Sequence, residues 1–254
     1  MKGVRRLQGI VDASVSEIKA VRDFALETGA YISNKKPKLP EVPFSSAELA
    51  ELKELIGAIN SAVERVKSTG KGVAVRTDPS IRVSNFVMQT LTPIKQSGFL
   101  AEMALVYLVS QVEAFVKDYL IEILANNPIM LRSGSTITYQ EVSSYGSIKS
   151  LQRGLAEKEV TSLTYKGIDD ISVFFEKRLN IDLCTFPNWG DLCENFYRRN
   201  LVVHNGAVVD YIYKTKVKGT TRVGRVSTDM LYVGDASSTI LAFVEYVHLH
   251  VLKK

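Results

Sequence analysis

The stretch FLAEMALVYLVSQVEAFVKDYLIEILA, from Phe99 to Ala125, is apolar around nearly its whole circumference when it is drawn as a helix. A helix of this kind must be covered by neighbours on several sides, so the sequence predicts a helical fold with this segment at its centre. Polar residues interrupt the stretch repeatedly, and its longest uncharged run, Met103 to Val112, is only ten residues long. Ten residues are too few to span a bilayer, so we expect no membrane association.

Amphipathic patterns on both sides of this stretch predict a mostly α-helical fold. Gly29 is expected to end the first helix, and Ser45 with Glu48 forms a capping-box pattern that begins the second. We expect these two to form an antiparallel N-terminal pair. The helices are predicted over residues 3–28, 45–68, 99–125, 147–161, 169–179, 191–203 and 236–252.

Weak signals between residues 70 and 98 suggest a division of the chain. Glycines, Asp78-Pro79 and Thr92-Pro93 interrupt any regular pattern there. We therefore predict an N-terminal helical pair with its connector over residues 1–92, and a second domain over residues 93–254. In this second domain, alternation of apolar and polar residues over 208–218 and 222–233 predicts a small antiparallel β-hairpin.

Composition limits the function without defining it. The chain has 254 residues, of which 46% are hydrophobic, and a formal charge of +5, which permits a polyanionic partner. Its two cysteines, Cys184 and Cys193, are too few for a disulfide framework, so a cytoplasmic location is expected. Phosphate-loop, zinc-protease and paired-cysteine patterns do not occur in the sequence, and we expect no cofactor and no metal.

The segment Arg198-Arg199-Asn200-Leu201-Val202-Val203-His204-Asn205-Gly206 combines groups that can act on a phosphodiester. A guanidinium can hold a phosphate through two hydrogen bonds, and an imidazole can transfer a proton near neutral pH. The preceding residues form an amphipathic helix that Gly206 closes, which places His204 at the negative end of the helix dipole. Because five residues rotate an ideal helix by about 140°, Arg199 and His204 do not share a face, whereas Asn200 and His204 do.

This segment resembles the HEPN superfamily of small helical ribonucleases, including toxin and defence proteins of the RiboL-PSP-HEPN kind. The mark of the superfamily is an arginine, a polar residue, three further residues and a histidine, and Arg199, Asn200 and His204 occupy those places. The resemblance covers roughly residue 97 to the C-terminus and implies a HEPN-type helical bundle. It also implies a two-fold homodimer, in which two such helices face each other across a groove.

The resemblance further implies metal-independent cleavage of RNA by the ribose 2′-hydroxyl, with Arg199 and His204 as catalytic residues and Asn200 orienting the histidine or the phosphate. Asn205 is a possible second amide at the edge of the site. Glu113 interrupts the most apolar helix, and two interpretations stay open. Its carboxylate is either buried and paired with Arg198 or Arg199, or it lies on a solvent-facing edge of the helix.

Cationic residues follow the motif and also allow two interpretations. On a strand, Lys214, Lys216 and Lys218 would share one face. Together with Arg222 and Arg225 they could grip the RNA backbone, or they could protect an exposed strand edge from aggregation.

Two functions compete on this evidence. The first is an endoribonuclease, a toxin or an antiviral defence effector, acting on RNA and restrained by an antitoxin or another defence-system protein. The alternative is a non-catalytic HEPN-type module that binds RNA or a protein partner. Silencing by modification of a tyrosine two residues after the histidine, known for some HEPN toxins, is not expected, because Gly206 occupies that position.

Overall fold

The computed structural model describes residues 2–35, 40–69, 74–75, 77–131, 136–164, 166–217 and 224–253. Within these ranges the chain is mostly α-helical, as predicted. The α-helices are α1 Lys2–Ser33, α2 Ser46–Thr69, α3 Ile81–Asn126, α4 Tyr139–Ser143, α5 Ile148–Thr164, α6 Ile168–Phe174, α7 Trp189–Asn205, α8 Tyr211–Lys216 and α9 Met230–Leu252. Helix α6 continues into a π-helical turn, Phe175–Leu179, and short 3-10 turns occur at Pro128–Leu131 and Leu183–Thr185.

Two helix boundaries show how local and tertiary signals compete. The capping box that begins α2 is confirmed, since the Ser45 N–H donates to Glu48 Oε2 at 2.8 Å and the Glu48 N–H donates to Ser45 Oγ at 3.3 Å. In contrast, Gly29 does not end α1, which continues to Ser33. A Cβ at position 29 would lie 2.8 Å from Met230 side-chain atoms, so this glycine permits close packing instead of capping the helix.

Helix α3 is continuous through Pro93, where the sequence had indicated a break. Its first half is held by a buried cluster in which Leu55 of α2 packs with Val83 and Val87. The Thr92 hydroxyl donates to the Met88 carbonyl at 2.7 Å, one turn earlier. Packing along this face thus offsets the cost of a proline inside the helix.

The chain forms two compact units, and long helices contribute to both. The first unit comprises Met1–Ala20, Tyr107–Phe196 and Ala236–Lys254, and the second comprises Val21–Val106 and Tyr197–Asp235. The predicted boundary between residues 92 and 93 falls inside α3 and inside the second unit.

The core of the first unit uses the apolar stretch of α3 from Tyr107 onward. Leu108, Val112, Phe115 and Tyr119 of α3 are fully buried, as are Phe243 and Val247 of α9. By length and composition, α3 is the one helix in the described ranges that could cross a membrane, and core helices of soluble proteins often pass the same test. Of the 18-residue segment of α3 that is most apolar, 44% is buried within the protein.

Candidate nuclease site on helix α7

The C-terminal half of α7 carries the motif, and its end is fixed by the residues that the sequence indicated. Gly206 has a φ of 54° and Ala207 a φ of 62°, so the chain leaves the helix through two left-handed residues. The Ala207 N–H donates to the Leu201 carbonyl at 2.8 Å, and Asn205 Nδ2 donates to the Val208 carbonyl at 2.6 Å. The backbone immediately after His204 is therefore closely tied to the helix.

The motif side chains differ in exposure along α7. His204 and Asn200 are exposed, Arg199 is half-buried, and Leu201 is only 3% exposed. Leu201 packs with Tyr213 and Val226 in a small buried cluster that anchors this end of the helix. Since Asn200 and His204 are four residues apart, they occupy the same exposed face, as the spacing predicted.

Arg198 serves to hold the helix in place. It is 4% exposed, its Nη1 donates to the Ser227 carbonyl at 2.8 Å, and its guanidinium lies 3.8 Å from the centroid of the Tyr232 ring. A stacked and hydrogen-bonded guanidinium fixes the direction of the residues around it. Arg198 thus ties α7 to the segment that leads into α9, one residue before Arg199.

Glu113 lies half-buried on the half of α3 that belongs to the first unit, whereas Arg198 and Arg199 belong to the second. Its exposure lies between the two interpretations of the sequence. The pairing of Glu113 with either arginine stays a prediction.

The predicted hairpin after the motif is wrong in its first strand, and the end of its predicted second strand, from Met230 to Val233, belongs to α9. Residues Tyr211–Lys216 form the short helix α8, which Asp210 caps by accepting the Tyr213 N–H at 2.7 Å. The β-structure of this part, within the described residues, is one antiparallel bridge between Val208 and Arg225. Asp210 favours helix initiation and Tyr213 is buried in the cluster with Leu201, and together these local interactions outweigh the alternating pattern.

The helical conformation of α8 separates cations that were predicted to share one face of a strand. Lys214 and Lys216 are exposed on α8, where a two-residue step turns them about 200° apart. Arg225 is exposed, but its Nη2 lies 2.7 Å from Glu102 Oε1, so a carboxylate already accompanies its charge. Lys218 and Arg222 lie outside the described residues.

Sequence reasoning missed three residues that organise this region, namely Ser227, Tyr232 and Glu102. Each acts on an arginine that is distant in sequence, so no local spacing connected them. The one available signal was the charge of Glu102 within the apolar stretch of α3. Searching the described residues for three or more His, Cys, Asp or Glu side chains placed to hold a metal ion gives no such group.

Comparison of the chain with models of protein families, with curated proteins and with solved structures gives no match.

Proposed function

We propose that this protein is a metal-independent endoribonuclease of the HEPN type, a toxin or antiviral defence effector that acts as a homodimer. The observation that carries the proposal is that His204 and Asn200 are exposed on one face of a helix end whose position is fixed by Arg198 and Leu201. A proton-transferring group must reach its substrate while it is held in place, and this arrangement meets both needs.

In the proposed reaction, His204 takes the proton from the ribose 2′-hydroxyl, and the resulting oxygen attacks the adjacent phosphorus. Arg199 stabilises the negative charge that develops on the phosphate oxygens. The bond to the 5′-oxygen breaks, and the second His204 of the dimer or water protonates the leaving oxygen. The products are a 2′,3′-cyclic phosphate and a 5′-hydroxyl.

The dimer supplies what one α7 helix lacks. Because Arg199 and His204 are turned about 140° apart on their helix, convergence of both on one phosphate favours groups from two copies. Large apolar side chains are exposed within the same unit as the motif: Val203 at 50%, Tyr211 at 81%, Ile212 at 64% and Leu231 at 82%. Contiguous apolar patches are typical of surfaces that associate with another chain, and we expect the dimer contact to include these side chains.

The primary experiment incubates the purified full chain with end-labelled RNA in excess EDTA. Wild-type protein is expected to cleave the RNA and leave cyclic phosphate ends, whereas DNA of the same sequence stays intact because it lacks the 2′-hydroxyl. Arg199→Ala and His204→Ala are each expected to lower the rate at least about a hundredfold, the usual contribution of an acid–base or charge-stabilising group.

Two matched variants control for loss of charge and of an imidazole. Arg5→Ala removes an exposed arginine from α1, and His250→Ala removes a histidine whose Nδ1 bonds the Tyr246 carbonyl within α9. Both are expected to keep wild-type activity. Cleavage that survives Arg199→Ala and His204→Ala would refute the site, and RNA binding without cleavage by any form would support the non-catalytic module.

A complementation experiment tests the shared groove separately. Arg199→Ala and His204→Ala chains are co-expressed with different tags, and the mixed dimer is purified through both. If the groups converge from two copies, the mixed dimer retains one intact arginine and one intact histidine in one groove and regains activity. A mixed dimer as inactive as its parents, or a wild-type chain that is an active monomer, would contradict the composite site.

A further inference from the structure

A cleft in the first unit has features that an ion-pair network alone does not explain. It is an open cleft of about 590 Å³ between α1, α3 and α5, and its charged lining residues are Arg6, Asp118, Glu122 and Arg153. A volume of several hundred cubic ångströms is typical of a site for a small organic ligand.

Glu122 lines this cleft, and its side chain is only 7% exposed. Its shortest side-chain contact is with Asn126, whose Nδ2 donates to Oε1 at 2.9 Å. Arg6 approaches from α1 with Nη1 at 3.4 Å, and Arg153 approaches from α5 with Nη1 at 3.6 Å. Arg153 also donates through Nε to Glu157 Oε1 at 3.2 Å, one turn later on α5. One buried carboxylate therefore draws two guanidinium groups to the same place.

These two arginine contacts are long for ion pairs. Charge-assisted N–H···O bonds are usually about 2.7 to 2.9 Å long, and Arg178 reaches Glu159 at 2.7 Å in the same unit. The Arg6 and Arg153 side chains are also 62% and 54% exposed. The N–H groups that do not contact Glu122 or Glu157 can thus reach an anion from solvent, while Glu122 keeps the two guanidiniums close together.

The rest of the lining provides a second polar point and an apolar wall. Asp118 is exposed one turn before Glu122 on α3, and it has no ion pair or hydrogen bond with any described residue. Ile10 and Ile121 supply apolar surface, and Gly9 and Ala13 keep α1 from filling the space.

We propose that this cleft binds a nucleoside monophosphate, or a phosphate monoester of that size. Arg6 and Arg153 hold the phosphate, the isoleucines contact the base or the sugar, and Asp118 accepts a hydrogen bond from an amino or hydroxyl group. Two arginines and two carboxylates line the cleft, and Glu157 outside the lining also pairs with Arg153, so there is no net positive charge to attract a polyanion. A small ligand with one phosphate and a hydrogen-bond donor at the other end fits this pattern.

Calorimetric titration of the full chain with adenosine 5′-monophosphate tests the proposal, with adenosine and inorganic phosphate as separate titrants. The monophosphate is expected to bind saturably and at least roughly tenfold more tightly than either fragment. Each fragment lacks the contacts made by the other part of the ligand, and one hydrogen bond to a charged group contributes about that factor. Arg6→Ala and Arg153→Ala are each expected to weaken binding at least roughly tenfold. Arg5→Ala, which removes the neighbouring exposed arginine of α1, is expected to leave the affinity unchanged.

Further variants keep the test decisive. Arg153→Lys preserves a positive charge beside Glu122 but loses the planar guanidinium. The variant should therefore fold like wild type and yet bind the monophosphate more weakly than wild type does. Asp118→Ala removes the acceptor, so it should weaken binding of the monophosphate without weakening binding of inorganic phosphate. Absence of saturable binding, or an affinity unchanged in Arg6→Ala and Arg153→Ala, would overturn the proposal. Binding lost in Arg199→Ala and kept in Arg6→Ala would place the nucleotide at α7, and would also overturn it.

Discussion

Replacing Tyr119 with phenylalanine should destabilise the first unit by an amount that follows from a buried chain of hydrogen bonds. The Tyr119 hydroxyl lies 2.8 Å from His248 Nδ1, and His248 Nε2 lies 3.0 Å from Gln8 Oε1. Gln8 Nε2 donates to Asp12, so its oxygen faces the histidine and accepts from Nε2–H. In the neutral ring Nδ1 is then an acceptor, and the Tyr119 hydroxyl is its donor.

Tyr119→Phe keeps the ring, which is fully buried, and removes only this donor. The Nδ1 of His248, a residue 7% exposed, is left without its hydrogen bond, which costs about 1 to 3 kcal/mol. Urea unfolding followed by far-ultraviolet circular dichroism at pH 8 measures the change. The matched control is Tyr107→Phe on the same helix, where the hydroxyl lies 3.1 Å from Glu17 Oε1 at an exposed position and should matter little.

Alkaline titration gives an independent check on the same residue. Burial raises the pKa of Tyr119 above its ordinary value near 10. Above about pH 10 the unfolded chain loses this proton before the folded chain does, so wild-type stability should fall by up to about 1.4 kcal/mol per pH unit from this residue. Tyr119→Phe lacks that loss, so the difference between the two proteins should narrow as pH rises above 10. Equal stability of wild type and variant at pH 8, or a constant difference up to pH 11, would refute the reasoning.

Three other substitutions test the packing, each by the same urea measurement. Arg198→Lys keeps the charge but loses the stack on Tyr232, and should destabilise the protein by about 1 to 2 kcal/mol; no change would contradict the anchoring role. Gly57→Ala should stabilise α2 by up to about 1 kcal/mol, because a Cβ there meets nothing within 4 Å and alanine favours helix. Gly154→Ala should instead destabilise the protein by about 1 to 2 kcal/mol, because its Cβ would lie 2.5 Å from the Tyr145 ring. Equal effects at both glycines would show that packing does not decide the sign of the change in unfolding free energy.

The sequence allowed prediction of features that neighbouring residues determine. The mostly helical fold, the capping box of Ser45 and Glu48, and the end of α7 at Gly206 each follow from contacts within a few residues. The face shared by Asn200 and His204 follows from helix geometry alone. These features needed no knowledge of the rest of the chain.

Features that depend on distant contacts could not be predicted in this way. The passage of α3 through Pro93 is supported by packing of Val83 and Val87 on α2, and the close approach at Gly29 involves Met230. The hairpin prediction failed because the alternating pattern of 208–218 gave no sign that Tyr213 would enter a cluster with Leu201. In each case a local preference was outweighed by burial that the spacing of residues does not encode.

The candidate site depends both on local spacing and on contacts between distant residues. Arg199, Asn200 and His204 were found from their spacing, but spacing could not distinguish them from the adjacent Arg198. The structure separates the two arginines, since Arg198 is committed to Ser227 and Tyr232 and is 4% exposed, whereas Arg199 is half-buried. Substitution of Arg198 should therefore lower stability and activity together, whereas Arg199→Ala should lower activity far more than its effect on stability accounts for. Parallel unfolding and cleavage measurements on the two variants decide the point, and a large loss of stability in Arg199→Ala would mean that the motif arginine supports the fold instead of the reaction.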